Sequence, residues 1–339
     1  MTGTLRPVWT PGSLAGADGV AESIAAKDLN NLYRTSCFFA DADRYQAFCG
    51  LYAVMRLVDD RIDNQLAGGL DPEGVGRERR ALDAWDRLVA AATAGGPLAD
   101  GDLDATDEPR ARDVLEAFGR GITRFPTPPE LWAHFFEAMR EDLTRDRFQT
   151  FDAFLNYARG ATVAPTTVYL YLIAANPDAD GVYRVPANFD LRECGRNLGL
   201  FAYIGHVLRD LRKDLATGTR GLIYLAADDM ATHGVSEVIL RQDAEAGHTG
   251  TAVTALVRDL AGRARARLRN GRNQLKALDG RLSADRAFIL RLIVELYTAT
   301  IEKIASSGYD PMAEQHHLTD PEKERLALAV AGGAGVVGC

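Results

Sequence analysis

The sequence is poor in several signals that mark whole classes of protein. It has four cysteines among 339 residues, Cys37, Cys49, Cys194 and Cys339, with no CxxC spacing and no paired framework. This excludes a disulfide scaffold and predicts reduced thiols in a cytoplasmic protein. No apolar run reaches the roughly 18 uninterrupted residues that a membrane span needs. We therefore expect no integral membrane segment.

Positive charge is also scarce. There are 39 Lys and Arg residues against 47 Asp and Glu, which gives a net charge of −8. No basic stripe with interleaved aromatic residues is present, so nucleic acid is not an expected partner. The acidic balance also means that a diphosphate ligand would need metal ions and local arginines, because the overall field would repel it.

Strand patterns are nearly absent; the weak exception lies near residues 181–185. Apolar periodicity predicts helices instead. They cover residues 22–40, 42–66, 77–94, 108–121, 129–145, 151–175, 188–216, 221–232, 251–278, 283–307 and 320–331. Several are apolar nearly all round, which is typical of helices buried among others.

The pattern therefore predicts an all-α fold with a single helical domain. This domain covers residues 22–331, between a flexible N-terminal segment at 1–21 and a flexible tail at 332–339. The Ala-, Gly- and Asp-rich stretch 91–108 is expected to form a mobile loop within the domain. The oligomeric state is left open.

Two short acidic clusters stand out from this background. Asp59, Asp60 and Asp63 form the first cluster, and Asp210 and Asp214 form the second. Asp59 and Asp63 lie four residues apart, as do the two aspartates of the second cluster, so each pair projects from one stripe of a helix. Like charges at that spacing repel unless a cation lies between them. Mg²⁺ binds one or two carboxylates together with phosphate and water, so the clusters predict a diphosphate trap.

Each cluster also has a simpler interpretation. Taken alone, either one fits a solvated, charged helix face, and the second fits it about as well as it fits a metal site. Arg56 lies one turn before the first cluster, where it can orient a carboxylate or bind a phosphate. His206, one turn before Asp210, is more typical of a satisfied structural histidine than of a metal-shell residue or a general base.

Two further features lie between and after the clusters. The segment 139–143, which contains Asp142 and is followed by Tyr157, is by itself typical of a charged helix end. Arg220 follows a glycine turn just beyond the second cluster and precedes Tyr224. A loop of this kind could close over a diphosphate and exclude water from the cation left behind.

Three blocks of sequence, at residues 33–63, 138–143 and 208–225, resemble squalene and phytoene synthases. Their order and spacing cover about residues 30–235. The resemblance implies a class I isoprenoid synthase helical bundle with a central apolar cavity, in which Mg²⁺ assists ionisation of an allylic prenyl diphosphate. The catalytic metal ligands that it implies are Asp59, Asp60, Asp63, Asp210 and Asp214. The candidate substrate-binding residues are Arg34, Tyr52, Arg56, Tyr157, His206, Arg209, Arg220 and Tyr224.

The chain also departs from the family pattern. His206 replaces an Asn that usually opens the second cluster, and Lys213 replaces an acid just before its last Asp. Such a lysine removes a possible metal ligand and repels Mg²⁺. Val163 and Thr166 stand where the family carries a glycine-containing stretch and would narrow the prenyl channel, and Pro165 would kink the helix.

These departures favour one function over its alternatives. They resemble the squalene-synthase-like prenyltransferases of bacterial secondary metabolism, which transfer a prenyl group, here expected to be short, to a small aromatic acceptor such as a carbazole. Tyr52, Tyr169 or Tyr171 would then steady the allylic cation. The alternatives are head-to-head condensation of two prenyl diphosphates, as in squalene or phytoene synthesis, and a catalytically silent helical protein that binds lipid or partners.

Overall fold

The computed structural model describes residues 6–217, 223–313 and 316–333. Its helices, numbered α1 to α15, are Gly16–Ala25, Asn31–Ser36, Ala42–Gly68, Pro72–Thr93, Asp100–Ala105, Ala111–Arg124, Glu130–Asp142, Phe151–Ala158, Ala164–Ala174, Leu191–Thr217, Ala227–Thr232, Glu237–Ala246, Thr251–Leu275, Ala284–Ser306 and Asp320–Gly332. Single 3₁₀ turns at Lys27–Leu29 and Lys276–Leu278 and a π-helical turn at Arg159–Val163 complete the helical structure.

Strand structure is confined to two short pairs within these residues. β1 (Arg147–Phe148) pairs parallel with β4 (Ile223–Ala226), and β2 (Asn176–Pro177) pairs antiparallel with β3 (Tyr183–Arg184). The all-α prediction is confirmed, and the weak strand signal near residues 181–185 corresponds to β3. None of the helices described combines the length and the apolarity that a membrane crossing requires. The division of the chain into one domain with flexible ends stays a prediction.

Several predicted boundaries are wrong for local physical reasons. The predicted helix 22–40 is two helices, because Asp28 and Leu29 have positive φ angles of 60° and 44°, and the Asn30 side chain then caps α2. Residues 223–226, predicted as helix, form β4. The predicted loop 91–108 contains α5, and α12 was missed, because helices this short carry little periodicity.

The predicted kink at Pro165 takes a specific form. The π-helical turn at 159–163 comes just before it, and Pro165 lies in the first turn of α9, a position at which proline is tolerated. The helical run therefore passes through the centre of the bundle. Nine of the eleven residues of α9 are buried, which makes it the central helix.

Two buried arginines close the C-terminal end of this central helix. Arg44 donates to the carbonyl oxygens of Leu172 and Ala175, and Arg286 donates to those of Ile173 and Ala175. Both guanidinium groups face the negative end of the helix dipole and satisfy carbonyls that have no helical partner. This end of α9 is thereby fixed against α3 and α14.

Helices α3 and α10, each 27 residues long, carry the two acidic clusters, and their positions depend on close backbone packing. At Gly50 on α3, an added Cβ would lie 2.6 Å from the carbonyl oxygen of Ala117 on α6. Because backbone cannot move aside as a flexible side chain can, we expect Gly50→Ala to lower the free energy of unfolding by about 1–3 kcal/mol. Chemical denaturation would measure the change.

Gly119, on α6 itself, provides the matched control. A Cβ there meets no atom within 4 Å. Gly119→Ala should therefore raise stability by up to about 1 kcal/mol through helix propensity alone. If Gly50→Ala were as stable as Gly119→Ala, α3 and α6 would not be in the close contact described.

Candidate functional site

A cavity of about 370 Å³ lies between α3, α7, α9, α10 and α14. One end is acidic, with Asp59, Asp63, Asp142, Asp210 and Asp214 in its wall. The remainder is apolar and aromatic. Carboxylates at the end of an apolar cavity match the arrangement that the two clusters predict.

The first cluster lies on one stripe of α3. Tyr52, Arg56, Asp59 and Asp63 all line the cavity, because they recur every three to four residues along the helix. The Asp59 side chain is exposed to the cavity, but it lies deep enough for protein atoms to surround it on its other sides. Burial, Asp63 and Asp142 raise the pKa of Asp59 to about 8, and burial and Asp60 raise that of Asp63. Neither accepts a hydrogen bond or an ion pair from the residues described.

Asp60 is placed differently from its two neighbours. It does not line the cavity but forms ion pairs with Lys27 Nζ at 2.7 Å and Arg56 Nε at 3.0 Å. Arg56 also pairs with Asp28 at 2.5 Å. The structure therefore places Asp60 where it orients Arg56, and does not bring it together with the unpaired carboxylates.

The second cluster lies on α10, facing the first. Asp210 accepts from Arg209 Nε at 2.9 Å and from the terminal guanidinium nitrogen at 2.6 Å, and its Oδ1 lies 3.1 Å from His317 Nε2. Although burial acts to raise its pKa, Arg209 holds it below the usual value. Asp214 has no ion pair within the described residues. Burial and the neighbouring Asp210 raise the pKa of Asp214 to about 6, and Asp63 contributes from across the cavity.

His206 also lines the cavity, with its ring 5.1 Å from that of Tyr297. Burial and the nearby Arg209 lower the pKa of His206 to about 3. The imidazole is therefore neutral near pH 7. A base of that strength is poorly matched to proton abstraction at neutral pH, so its contribution is a neutral polar surface.

A group of aromatic residues stands beside the carboxylates. The rings of Tyr157, Tyr203 and Tyr224 lie 6.2–6.4 Å from one another and line the cavity. The Tyr157 hydroxyl donates to Asp142 Oδ2 at 3.1 Å, and Arg145 pairs with Asp142 Oδ1 at 2.5 Å. Burial raises the pKa of Asp142 to about 7, against the lowering effect of Arg145.

Sequence reasoning missed two residues in this part of the cavity wall, Asp142 and Tyr203. Asp142 was interpreted as part of a charged helix end, which is wrong, because only 7% of it is exposed and it lines the cavity. The interpretation does hold for Arg140, which pairs with Asp83 and Asp86. Tyr203 was hidden in an apolar run. The available signal was its position one turn before His206, on the same face of α10.

Other predicted residues lie outside the cavity wall. Arg34 donates to the Leu29 carbonyl at 2.6 Å and pairs with Asp320 at 3.0 Å. Arg209 does not line the cavity either and pairs with Asp210. Arg220 lies outside the described residues.

Two of the predicted cavity contacts are wrong. Tyr171 donates to the Tyr183 carbonyl at 2.7 Å and is not part of the wall, whereas Tyr52 and Tyr169 are. Val163 packs against Gly199 on α10, where an added Cβ would lie 2.9 Å from the Val163 Cα. Pro165 and Thr166 do line the cavity.

The unpaired carboxylates fit a hard divalent cation. Within residues 6–217, 223–313 and 316–333, no three acidic, histidine or cysteine side chains form a preassembled metal site. The donors Asp59, Asp63 and Asp214 are instead divided between two facing helices, and Asp63 repels the other two. This is the arrangement expected for Mg²⁺, which takes one or two carboxylates and completes its coordination with substrate phosphate and water.

Comparisons with known proteins agree with this geometry. The family model for squalene/phytoene synthase matches residues 27–325. A phytoene synthase from Thermus thermophilus is 29% identical over 294 residues, which cover 87% of this chain and 85% of that protein. A 15-cis-phytoene synthase from Synechocystis is 25% identical over 326 residues, which cover 94% of this chain and 85% of that protein.

Solved structures show the same fold. A dehydrosqualene synthase superposes with a TM-score of 0.70 at 19% identity, over 93% of this chain and 95% of the other. The squalene synthase HpnC from Alicyclobacillus acidocaldarius superposes with a TM-score of 0.66 at 19% identity, over 86% of this chain and 94% of the other. The helical bundle is therefore preserved at low sequence identity.

Proposed function

Because this chain belongs to the squalene/phytoene synthase family of prenyltransferases, we propose that it ionises an allylic prenyl diphosphate and transfers the prenyl group to a small aromatic acceptor, carbazole- or indole-like. The observation that carries the proposal is the tyrosine group Tyr157, Tyr203 and Tyr224 beside unpaired carboxylates. A diphosphate would bind at the acidic end through a metal ion, and a planar acceptor would stack on the aromatic wall.

The acidic end supports departure of the diphosphate. Mg²⁺, held by unpaired aspartates and the donor's phosphates, would supply the positive charge that stabilises the leaving group. Arg56 lines the same part of the cavity, and its pairing with Asp28 and Asp60 holds the guanidinium in place before a ligand arrives. Such preorganised charge is the main catalytic contribution available here.

The aromatic wall supports the second half of the reaction. The allylic C–O bond breaks with its electron pair on diphosphate, which leaves an allylic cation beside the aromatic wall. The faces of Tyr52, Tyr169 and the tyrosine group can stabilise that cation. A ring carbon of the acceptor then attacks to form the new C–C bond, and the proton lost from that carbon passes to the released diphosphate.

The depth of the cavity favours a short donor. From His206 at the polar end to Leu198, the wall formed by α10 extends about 12 Å. Each five-carbon prenyl unit adds four carbon–carbon bonds of about 1.5 Å to the chain and lengthens it by roughly 5 Å. This stretch of wall therefore accommodates about two prenyl units. Pro165 and Thr166 also line the cavity, where the relatives' pattern has smaller residues in this stretch. We therefore expect a C5 or C10 donor.

Head-to-head condensation of two prenyl diphosphates is the second candidate. What supports it is the similarity to phytoene synthases over 87% of the chain and the fold shared with a dehydrosqualene synthase. The two reactions share ionisation and differ in what captures the cation. The choice of second substrate therefore separates them.

The test incubates the protein and Mg²⁺ with C5, C10, C15 and C20 allylic diphosphates, each with and without carbazole or indole. We expect an acceptor-dependent prenylated product, fastest with the C5 or C10 donor and at least about tenfold slower with C20, because the longer chain exceeds the apolar depth. Product mass and diphosphate release are the measurements. A C30 or C40 product from the donor alone, whether a hydrocarbon or a diphosphate, would decide for the second candidate. Absence of diphosphate release from every donor would show a silent protein.

A further inference from the structure

The two carboxylates of the second cluster differ in their contacts. Both oxygens of Asp210 are occupied, by the bidentate Arg209 and by His317 at 3.1 Å. Asp214, one turn further along α10, lines the same cavity and has no ion pair within the described residues. A cation could bind Asp214 directly, whereas at Asp210 it would have to displace or share two donors already in place.

His317 comes from a segment far away in sequence, residues 316–323, which we name the C-terminal strap. Bonds on both sides of His317 fix the strap. Its own carbonyl accepts from Lys303 at 3.1 Å, and the preceding His316 contacts the Asp310 carbonyl at 2.8 Å. A capping box between Thr319 and Glu322 then starts α15. The contact with Asp210 is therefore part of a built structure.

The first cluster shows the same division. Asp60 is paired with Arg56 and Lys27, while Asp59 and Asp63 are left open to the cavity. Each cluster thus has one aspartate bound to an arginine of its own helix. The remaining three carboxylates, Asp59 and Asp63 on α3 and Asp214 on α10, line the cavity and have no ion pair within the described residues.

We propose that Asp214 is the only ligand that the second cluster gives to the divalent cation, together with Asp59 and Asp63, and that His317 and Arg209 hold Asp210 out of that site. His317 is then a positioning residue of the metal site. The proposal rests on the proposed function and deepens it. With one carboxylate withdrawn, the site has fewer ligands for divalent cations, and the cations it holds neutralise less phosphate charge. Such a site suits one diphosphate and a neutral acceptor better than two diphosphates.

The test measures Mn²⁺ binding to the full chain by electron paramagnetic resonance, with Mn²⁺ alone and with Mn²⁺ plus inorganic diphosphate. Asp214→Asn should weaken Mn²⁺ binding at least tenfold, and Asp210→Asn should change it less than threefold. Equal losses in the two variants would overturn the proposal. Circular dichroism and thermal melts show whether each variant is folded.

A second set of variants tests the role of the strap. Arg209→Gln combined with His317→Ala frees Asp210 and should tighten Mn²⁺ binding severalfold, and adding Asp210→Asn should remove that gain. Thr319→Ala is the matched control, since it loosens the helix cap of the strap but keeps His317; it should leave Mn²⁺ binding unchanged. No gain in the double variant, or the same gain in Thr319→Ala, would overturn the role of His317.

These measurements are independent of turnover. If no allylic donor releases diphosphate while the Mn²⁺ pattern holds, the proposed function fails and the assignment of ligands stands. If turnover is normal and Asp210→Asn loses Mn²⁺ as Asp214→Asn does, the assignment fails alone.

Discussion

Replacing Asp59 by Asn is expected to reduce diphosphate release by about 10³-fold or more and, at the same time, to make the metal-free protein more stable. The loss follows because the carboxylate is an unpaired candidate metal ligand, and preorganised charge at the leaving group is the largest catalytic contribution available. The gain follows because Asn keeps the shape and removes a carboxyl whose pKa is raised by burial, Asp63 and Asp142, so that the folded protein no longer has to protonate this group or hold its charge.

The gain in stability should be modest, about 1 kcal/mol, because cavity water screens part of the repulsion. Diphosphate release from a C10 donor measures the first effect, and thermal melts in EDTA measure the second. Asp60→Asn is the matched control. It breaks the pairs with Lys27 and Arg56, so it should gain no stability and should keep Mn²⁺ binding. An Asp59→Asn enzyme with full turnover in Mg²⁺ would contradict the mechanism.

Replacing Arg145 by Met is expected to lower the free energy of unfolding by about 3–5 kcal/mol. Arg145 is 8% exposed, pairs with Asp142 at 2.5 Å, and its guanidinium carbon lies 3.8 Å from the centre of the Tyr157 ring and 4.2 Å from that of Phe148. Methionine keeps most of the apolar contacts. It leaves Asp142 buried without its cation, beside the other carboxylates of the cavity.

The control variant also removes the Asp142 carboxylate, which Arg145→Met leaves without its partner. Asp142→Asn combined with Arg145→Met removes both charges of the pair, and Asn can still accept from the Tyr157 hydroxyl, so at least half of the lost stability should return. Urea denaturation of the single and double variants measures both changes. A double variant as unstable as Arg145→Met would show that packing on the rings, not the ion pair, is what Arg145 contributes.

The sequence predicted the long helices well and the short ones poorly. The periodicity of α3, α10, α13 and α14 extends over six or more turns, so a few irregular positions do not hide it. Helices of six to ten residues, such as α5 and α12, present too few turns for a pattern. The break at Asp28 and Leu29 depends on left-handed backbone angles in residues that rarely adopt them, which composition does not reveal.

The candidate site was partly readable from spacing. Four residues make about one helical turn, so the two aspartates of each pair must share a helix face wherever that helix lies in the fold. The pairs are Asp59 with Asp63 and Asp210 with Asp214. Asp142 and Tyr203 could not be singled out. Their importance comes from the neighbours that α7 and α10 bring to them, and those neighbours are remote in sequence.

An all-α chain with two acidic helix stripes and a family resemblance follows from the residues alone, since helical periodicity and i, i+4 spacing are local properties. Which carboxylates remain open to a cation is a property of the folded bundle. Asp60 is paired by Lys27, 33 residues before it, and Asp210 by His317, which the C-terminal strap brings back across the bundle. Ion pairs between distant segments form only when packing places both partners within a few ångströms, so the charge left over for metal and substrate is decided by tertiary structure.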